Sequence, residues 1–263
     1  MTIPNSPDLA HLAAFADRLA DTAREITMRY FRTPVAVEHK TDRTPVTRAD
    51  RETETALRAQ IARTFPEHAV WGEEFGRTDN NAEAIWVIDP IDGTKAFITG
   101  RPTFGTLIAF VLETTPVIGV VETPALAERW RGIQGQATER NGTPCRTSGV
   151  QRLDHATVLA TTIDMFTGDE RTAFDALTDR ALFRSFGADC YAYGLLASGF
   201  VDLVVEADMA PYDFMAMVPV IAGAGGMVTD WNGAALTLES GGRVLAAASA
   251  ALHEQALCVL TGK

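Results

Sequence analysis

The apolar residues of the first thirty positions recur at the spacing of an α-helix. Between residues 8 and 31 they fall three or four positions apart and would share one face of a helix. This period predicts an amphipathic helix that packs against a core. A second helix is predicted from Asp50 to Thr64, with Thr47 or Asp50 as its N-cap and Pro66 just beyond its end.

From residue 69 onward, short apolar runs replace the helical period, and such runs predict buried strands. The last three runs follow one another closely along the chain. Close spacing favours an antiparallel meander, because parallel crossovers need longer connections. The strands predicted in this half are residues 69–72, 84–88, 105–113, 117–122 and 127–133.

The second half alternates predicted strands and helices, which favours an α/β fold with layered sheets and helices. The strands are predicted at residues 157–161, 181–185, 201–206, 227–229 and 244–248, and the helices at 167–179, 190–198, 212–224 and 250–260. The glycine-rich run at residues 222–226 follows a helix. We therefore interpret it as a helix exit and not as a phosphate-binding loop.

Turn dipeptides gather near residues 141–151, where Asn-Gly, Thr-Pro and Ser-Gly occur. Such clusters are typical of connections between structural units. A chain of 263 residues suits one large domain or two coupled subdomains. We expect an N-terminal α+β subdomain over residues 1–145 and a C-terminal α/β subdomain over residues 146–263.

Composition and charge narrow the class of protein. The chain is 46% hydrophobic and 22% charged, as folded globular proteins are, and its formal net charge is −11. Nucleic acids and anionic membranes bind clustered lysine and arginine, so we expect neither as a partner. No apolar stretch approaches the ~18 residues of a membrane span, and the N-terminal segment lacks the pattern of a signal peptide.

The three cysteines, Cys145, Cys190 and Cys258, are far apart, and no CxxC pair occurs. This usage predicts neither a disulfide framework nor a zinc site. It favours a reducing, cytoplasmic location.

One segment, Asp89-Pro90-Ile91-Asp92-Gly93-Thr94, carries the sharpest chemical signal of the chain. A hydrophobic strand ends at Asp89, and Pro90 disfavours helical geometry at the preceding residue, so we expect the chain to turn there. The two carboxylates would then flank one turn, with the Ile91 carbonyl between them as a third oxygen ligand. Hard oxygen ligands of this kind favour Mg²⁺.

The residues that follow Asp92 favour the binding of an anion. Gly93 and Thr94 open a predicted helix, and the free amides of a helix start, together with its dipole, attract a phosphate. The same string of Asp, Pro and Gly is also a good turn sequence with no ligand, so on its own it leaves both interpretations open.

Two further acidic segments follow or begin predicted apolar elements. Glu73 and Glu74 come directly after the strand at residues 69–72, so one of their two carboxylates can face inward beside Asp89. Asp213 lies at the start of an apolar helix, where a lone Asp is either an N-cap or a ligand.

These three segments together resemble the inositol monophosphatase family. The resemblance rests on Gly72-Glu73-Glu74, then Asp89 to Thr94, then Tyr212-Asp213 before a Gly225-Gly226 exit, and it extends from about Lys40 to Gly233. It implies the layered α/β fold of that family and a Mg²⁺-dependent phosphomonoesterase that acts on a small phosphorylated metabolite. It also implies a homodimer.

The resemblance also implies roles for residues at matching positions. Two or three Mg²⁺ ions would be held by Glu73, Asp89, Asp92, Asp213 and the Ile91 carbonyl. All of these except Asp213 lie in the predicted N-terminal subdomain. Tyr212 departs from the Trp found in many members but still provides an aromatic wall.

A further element, Val46-Thr47-Arg48-Ala49-Asp50, resembles the VTxxD element of the family. Asp50 would then hydrogen-bond Thr94, and this pair, together with Glu73, would help to activate the metal-bound water. Lys40 matches a lysine on a mobile loop near the metals. An ordinary helix cap at Asp50 and a solvated loop at Lys40 are the alternatives.

The stretch from Arg184 to Tyr193 resembles the histidinol-phosphate phosphatase branch of the family. Asp189 and Glu206 would place carboxylates opposite an ammonium and an imidazole, where charge-assisted hydrogen bonds are strong. Gly93, Thr94 and Asp213 complete the expected substrate-binding set.

Other roles remain open for these two residues. Asp189 can simply cap the helix that begins near Cys190, and Glu206 can accept a hydrogen bond from a sugar hydroxyl. The alternative functions of the protein are an inositol-1-phosphate phosphatase, another small phosphate-ester phosphatase of the family, or a catalytically silent metal-binding scaffold.

Overall fold

The computed structural model describes residues 8–34, 36–39, 45–78 and 82–262. The helices of the described residues are α1 (Leu9–Tyr30), α2 (Arg48–Thr64), α3 (Thr94–Ile98), α4 (Gly168–Thr178), α5 (Tyr191–Ala197), α6 (Pro211–Phe214), α7 (Met217–Gly223) and α8 (Ala250–Thr261). The strands are β1 (Val37–His39), β2 (Pro45–Thr47), β3 (Ala69–Gly72), β4 (Gly76–Arg77), β5 (Ala84–Asp92), β6 (Gly105–Leu112), β7 (Thr115–Thr123), β8 (Glu128–Ile133), β9 (Glu139–Arg140), β10 (Thr143–Pro144), β11 (Thr157–Ala160), β12 (Phe183–Phe186), β13 (Leu203–Glu206), β14 (Met227–Thr229) and β15 (Val244–Ala247).

The two N-terminal helices begin at side-chain caps. Asp8 accepts from the amides of Ala10 and His11 and starts α1. Thr47 caps α2, and the Asp50 carboxylate reaches back to the Thr47 amide at 2.8 Å. The Asp8 cap and the reciprocal contact of Thr47 and Asp50 both satisfy amide groups that the first helical turn leaves unpaired. The apolar faces of both helices pack on one side of a sheet.

That sheet has eight strands in the order β10-β9-β8-β7-β6-β5-β3-β4. Strands β5 to β8 form the predicted antiparallel meander. Strand β3 pairs with β5 in parallel, with Gly72 opposite Ile88. The ends of β3 and β5 therefore lie side by side, and both carry acidic residues.

A second sheet has five strands in the order β12-β11-β13-β15-β14. Strands β12, β11 and β13 run parallel, whereas β15 is antiparallel to both β13 and β14. One face of this sheet packs on α4 and α8. The other face shares a buried core with the first sheet, and that core contains α5, α6 and α7.

The layers alternate from one side of the molecule to the other. Helices α1 and α2 cover the eight-stranded sheet, the helices α5 to α7 lie between the two sheets, and α4 with α8 closes the opposite side. The predicted layered α/β class is thus confirmed. Every helix in the described part of the chain is too short or too polar to cross a membrane.

Two local predictions are wrong, and a proline is involved in each. The chain does not turn at Asp89-Pro90, because β5 continues to Asp92 through an irregularity of register between Asp89 and Asp92. A β-bulge tolerates a residue without an amide hydrogen. The helix predicted at residues 212–224 is two helices, α6 and α7, because Pro219 has no amide hydrogen to donate to the Met215 carbonyl.

Helix α7 lies so close to the meander that two strand positions must be glycine. A Cβ on Gly119 would lie 2.0 Å from the Ala216 carbonyl oxygen, and a Cβ on Gly132 would lie 2.4 Å from the Pro219 backbone. Both contacts are with backbone, which cannot move as a side chain can. The glycines therefore fix the distance between the first sheet and the central helices.

We expect Gly119→Ala to lower the free energy of unfolding by about 3 kcal/mol, because overpacking of a closely packed core is strongly destabilising. Urea unfolding measures the change. Gly241→Ala is the matched control, since Gly241 has ordinary backbone angles and open space where a Cβ would lie. Equal unfolding midpoints for the two variants would contradict this account of the layer contact.

Candidate metal and phosphate site

The end of β5 positions two carboxylates on either side of a bulge. Asp89 is almost fully buried, and its Oδ1 accepts the amide of Ile91 at 2.9 Å. Asp92 Oδ2 accepts the amide of Cys190 at 2.7 Å. The local bond and the contact across the cleft hold the two side chains in fixed directions.

Asp213 joins these two carboxylates from the far side of the cleft. It lies in the first turn of α6, and its Oδ2 accepts the Ala210 amide at 2.7 Å. The N-cap position itself belongs to Ala210, so Asp213 is not the N-cap. One oxygen from each of Asp89, Asp92 and Asp213 lies within 4.8 Å of the others.

The donor set of this cluster fits a hard divalent cation. Its members supply only carboxylate oxygens, and Ile91 lines the same cavity. Mg²⁺ and Ca²⁺ prefer such ligands, whereas zinc sites use histidine and cysteine more often. Of the histidine, cysteine and acidic side chains that the structure describes, only this group has the geometry of a metal site.

Burial makes the cluster electrostatically unfavourable without a cation. Loss of solvent raises the pKa of Asp89 well above its usual value, and the charge of Glu73 adds to the effect. Burial likewise raises the pKa of Asp92, with Asp189 and Asp213 as further causes. The pKa of Asp213 is raised to about 7, mainly by burial. A bound cation would relieve this repulsion.

Glu73 reaches the cluster because of the parallel pairing of β3 and β5. It is the first residue after β3, and its amide donates to the Ile88 carbonyl at 3.3 Å. Its carboxylate is close enough to Asp89 to form a side-chain hydrogen bond with it. Glu73 thus lines the same cavity as Asp89, Asp92 and Asp213 and contacts the group through Asp89.

Gly93 and Thr94 lie where the sequence predicts a helix start. Gly93 is the N-cap of α3 and has a φ of 77°, a left-handed conformation that favours glycine. A Cβ there would also lie 2.9 Å from Asp189 Cγ, so the position needs a glycine for space as well. Both residues line a cavity of about 210 Å³ that contains all the acidic residues of the cluster.

Asp50 approaches Thr94 from α2, as the sequence predicts, but at the outer limit of a hydrogen bond. The distance between Thr94 Oγ1 and Asp50 Oδ1 is 3.5 Å, whereas Thr94 Oγ1 lies 3.2 Å from the Ile91 carbonyl oxygen. The shorter partner of Asp50 is Thr47 Oγ1 at 2.6 Å. Burial raises the pKa of Asp50, and its bonds to Thr47 oppose that effect.

Asp189 faces the cavity from the second half of the chain. Its φ of 49° is rare for a residue other than glycine. Its Oδ2 accepts from the Thr103 hydroxyl at 3.1 Å and lies 3.9 Å from Arg101. The N-cap of α5 is Cys190, so Asp189 is not the cap of that helix.

Glu206 is buried behind the cavity at the end of β13. It accepts from the Thr161 hydroxyl at 2.5 Å and from the Tyr193 hydroxyl at 3.1 Å. Burial raises its pKa to about 7 despite these donors. Glu206 is absent from the cavity lining, which Thr161 provides at that wall.

Sequence reasoning missed several residues of the site. Lys95 and Thr161 line the cavity, and Thr103 and the Cys190 amide hold two of its carboxylates. Lys95 had a usable signal, because it directly follows the predicted phosphate-binding residues. The other three act through contacts between distant segments and left no local pattern. Lys40, the candidate loop lysine, lies outside the described residues.

Comparison with known proteins places this site in a family. The model of the inositol monophosphatase family matches residues 8–261. The bifunctional phosphatase IMPL2, chloroplastic, of Arabidopsis thaliana is 42% identical over 95% of this chain and 75% of its own length. A histidinol-phosphatase of Chlorobaculum parvum is 36% identical over 92% of each chain.

A solved structure of an inositol monophosphatase from Zymomonas mobilis superposes with a TM-score of 0.90. Its sequence is 40% identical to this chain, and the match covers 97% of this chain and 99% of the other. The match of the family model extends from α1 to α8 and includes both sheets. The chain therefore belongs to the inositol monophosphatase family, and so to the phosphoric monoester hydrolases.

Proposed function

We propose that the protein hydrolyses histidinol phosphate to histidinol and phosphate in a Mg²⁺-dependent reaction. The observation that carries the proposal is the position of Asp189, which adds a carboxylate to the cavity that also contains Asp89, Asp92 and Asp213. A phosphate ester with a cationic leaving group would find metal ligands at one end of this cavity and an acidic wall beside them.

Asp89, Asp92, Asp213, Glu73 and the Ile91 carbonyl are proposed to hold two or three Mg²⁺ ions. One oxygen from each of the three Asp carboxylates lies within 4.8 Å of the others, and Ile91 lines the same cavity. When bound, the cations lower the pKa of the attacking water, neutralise the phosphate oxygens and stabilise the departing alkoxide. Asp89 is buried and interacts with Glu73, Asp92 and Asp213, so its carboxylate would be a central ligand for such ions.

Glu73, Asp50 and Thr94 are proposed to orient the attacking water. Glu73 borders the cavity beside Asp89, and the Thr94 hydroxyl lies between Asp50 and the Ile91 carbonyl. A threonine hydroxyl that donates its single proton to one of these acceptors can turn its lone pairs toward a water molecule. The amides of Gly93 and Thr94 would bind the phosphoryl oxygens at the start of α3.

Asp189 and Glu206 are proposed to select the leaving group. Asp189 is held by Thr103 and lies directly on Gly93, so it is next to the phosphate position. An ammonium group there would form a charge-assisted hydrogen bond. Glu206 would act from behind Thr161. It accepts a hydrogen bond from the Thr161 hydroxyl, so the lone pairs of that hydroxyl are left to face the cavity.

A second candidate substrate is inositol 1-phosphate. Burial raises the pKa of Glu206 to about 7, so its negative charge is only partial at neutral pH. The Thr161 hydroxyl at the cavity wall suits a polyol as well as an amine. The same phosphate end of the site would serve either ester.

A substrate panel distinguishes these candidates. With Mg²⁺ present, we expect kcat/KM for histidinol phosphate to exceed that for inositol 1-phosphate by about 100-fold, the scale of ~3 kcal/mol for one charge-assisted contact. Asp189→Asn should lower the histidinol phosphate value about tenfold and leave the inositol 1-phosphate value within about twofold. A large preference for inositol 1-phosphate would overturn the proposed substrate but not the proposed metal site.

We also propose a cytoplasmic homodimer. The three cysteines are free thiols, which suits a reducing compartment. The edge strand β12 exposes Phe183, and Leu182 just before it is 60% exposed, so this edge offers apolar surface to a second chain. Light scattering after size-exclusion chromatography measures the mass, and a monomer at micromolar concentration would exclude the dimer.

A further inference from the structure

A buried carboxylate on α2 holds the loop that carries Glu73. Glu54 is fully buried, and its two oxygens accept backbone amides from the turn between β3 and β4. Oε2 accepts the Glu74 amide at 2.7 Å, and Oε1 accepts the Phe75 amide at 3.1 Å. These amides belong to the two residues that directly follow Glu73.

The same turn is shaped around the Glu54 carboxylate from its other side. A Cβ on Gly72 would lie 2.1 Å from Glu54 Oε1 and 2.3 Å from its Cδ. Gly72 therefore lets the carboxylate lie directly against the backbone that precedes Glu73. Glu54 thus contacts the chain both before and after Glu73, and the position of Glu73 depends on where this carboxylate lies.

Arg58, one turn further along α2, holds the same turn between β3 and β4. Its Nε donates to Glu54 Oε1 at 2.7 Å, and its Nη2 donates to the carbonyl of Gly76, at the start of β4. The arginine balances the buried charge of Glu54 and ties the far end of the turn to the same helix. Buried carboxylates with several hydrogen bonds hold their partners in one geometry.

The contacts of Glu54 and Arg58 with this turn are connected to the candidate site through α2 itself. Asp50 lies one helical turn before Glu54 and approaches Thr94, while Glu54 holds the loop of Glu73. Residues four apart share one helix face. A single helix therefore carries Asp50 and holds the loop of Glu73, which are two of the three groups proposed to orient the attacking water.

We propose that Glu54 is a positioning residue for the phosphatase reaction. It acts through Glu73, whose carboxylate it directs toward Asp89 and the metal position, and it contacts neither substrate nor cation. The inference rests on the proposed metal-dependent function. It adds a requirement that the cluster of carboxylates alone does not reveal.

The direct test is Glu54→Gln in the full-length protein. Glutamine keeps the size of the side chain but replaces one acceptor oxygen with an NH₂ group, which then faces an N–H donor. We expect a Mn²⁺ dissociation constant, measured by electron paramagnetic resonance, about tenfold higher than that of the parent. We also expect kcat to fall about tenfold, while KM changes less than about twofold.

Glu122→Gln is the matched control. Glu122 is equally buried and pairs with Arg24 and Arg129 at 2.6 Å, on the α1 side of the sheet and away from the cavity. We expect it to lower the melting temperature at least as much as Glu54→Gln without changing Mn²⁺ affinity or kcat. Equal losses of Mn²⁺ affinity in both variants would reduce the role of Glu54 to general stability.

Arg58→Lys provides a second variant, because Arg58 is only partly buried and the substitution is tolerated more easily. Lysine cannot bind Glu54 and Gly76 together, so we expect a loss of Mn²⁺ affinity of about threefold in the same direction. If Glu54→Gln folds and keeps the parental Mn²⁺ affinity and kcat, the proposal is overturned. If Glu54→Gln does not fold, parental Mn²⁺ affinity in Arg58→Lys overturns it instead.

The Mn²⁺ measurement separates this inference from the proposed function. If the parent binds Mn²⁺ but hydrolyses no ester of the panel, the proposed function fails. A weaker affinity in Glu54→Gln would still support the positioning role of Glu54.

Discussion

Asp89→Asn is expected to lower kcat by about 1,000-fold at saturating substrate and 5 mM Mg²⁺, on the scale of ~4 kcal/mol of transition-state stabilisation. The carboxylate is buried and interacts with Glu73 and Asp213, so asparagine would remove the charge of a proposed metal ligand. Asparagine has nearly the same size, and the fold should persist. Phosphate release measures turnover, and Mn²⁺ titration measures the loss of affinity.

The control for this variant is Asp154→Asn. Asp154 is exposed, pairs with the neighbouring Arg152 at 2.6 Å and is not part of the cavity lining, so the same change of charge occurs outside the proposed site. We expect parental turnover and parental Mn²⁺ affinity. If Asp89→Asn retained turnover near that of Asp154→Asn, the buried carboxylates would not be the catalytic metal site.

The features that sequence reasoning predicted correctly are local ones. The strand before Asp89 and the strand before Glu73 are apolar runs whose burial follows from composition alone. The meander follows from short connections, since β6, β7 and β8 are each joined by a few residues. The convergence of four carboxylates was predicted through the family resemblance, since separation along the chain gives no distance in space.

Contacts between distant segments could not be predicted in this way. Glu54 lies in an ordinary helical pattern, and nothing nearby indicates that its carboxylate holds a turn twenty residues later along the chain. The bond from the Cys190 amide to Asp92 joins residues 98 positions apart. Backbone amides have no sequence signature, so such partners become visible only when the layers are assembled.

Pro90 and Pro219 show two different limits of local sequence patterns. The steric effect of Pro90 on Asp89 disfavours a helix and suggests a turn, but extended geometry satisfies it as well, and a bulge keeps Pro90 within β5. The apolar pattern of residues 212–224 predicts one helix and takes no account of Pro219, whose missing amide hydrogen interrupts the hydrogen bonds between α6 and α7.

The metal-free protein is expected to lose stability as the pH rises from 5 to 7, and Mg²⁺ is expected to restore it. Burial raises the pKa of Asp213 from 3.8 to about 7. A carboxyl with a raised pKa binds its proton more tightly in the folded state. Its contribution to stability is therefore complete below about pH 4 and is lost as the pH approaches 7.

For Asp213 alone this loss is roughly 2 kcal/mol between pH 5 and 7, which corresponds to a fall in melting temperature of about 4–8 °C. Asp89 and Asp92 have raised pKa values and act in the same direction. The half-buried His68 and the buried His253 have lowered pKa values and act in the opposite direction, so the parent must be compared with a variant.

Asp213→Asn is that variant, because it keeps both histidines and removes one titrating carboxyl of the cluster. Melting curves at pH 5, 6 and 7, with EDTA or with Mg²⁺, should show a shallower fall for the variant than for the parent. Mg²⁺ should raise the melting temperature of the parent more at pH 7 than at pH 5, since the cation competes with protons for the same oxygens. Parallel curves for parent and variant, together with a pH-independent effect of Mg²⁺, would mean that these carboxylates neither hold their protons in the metal-free fold nor exchange them for the cation.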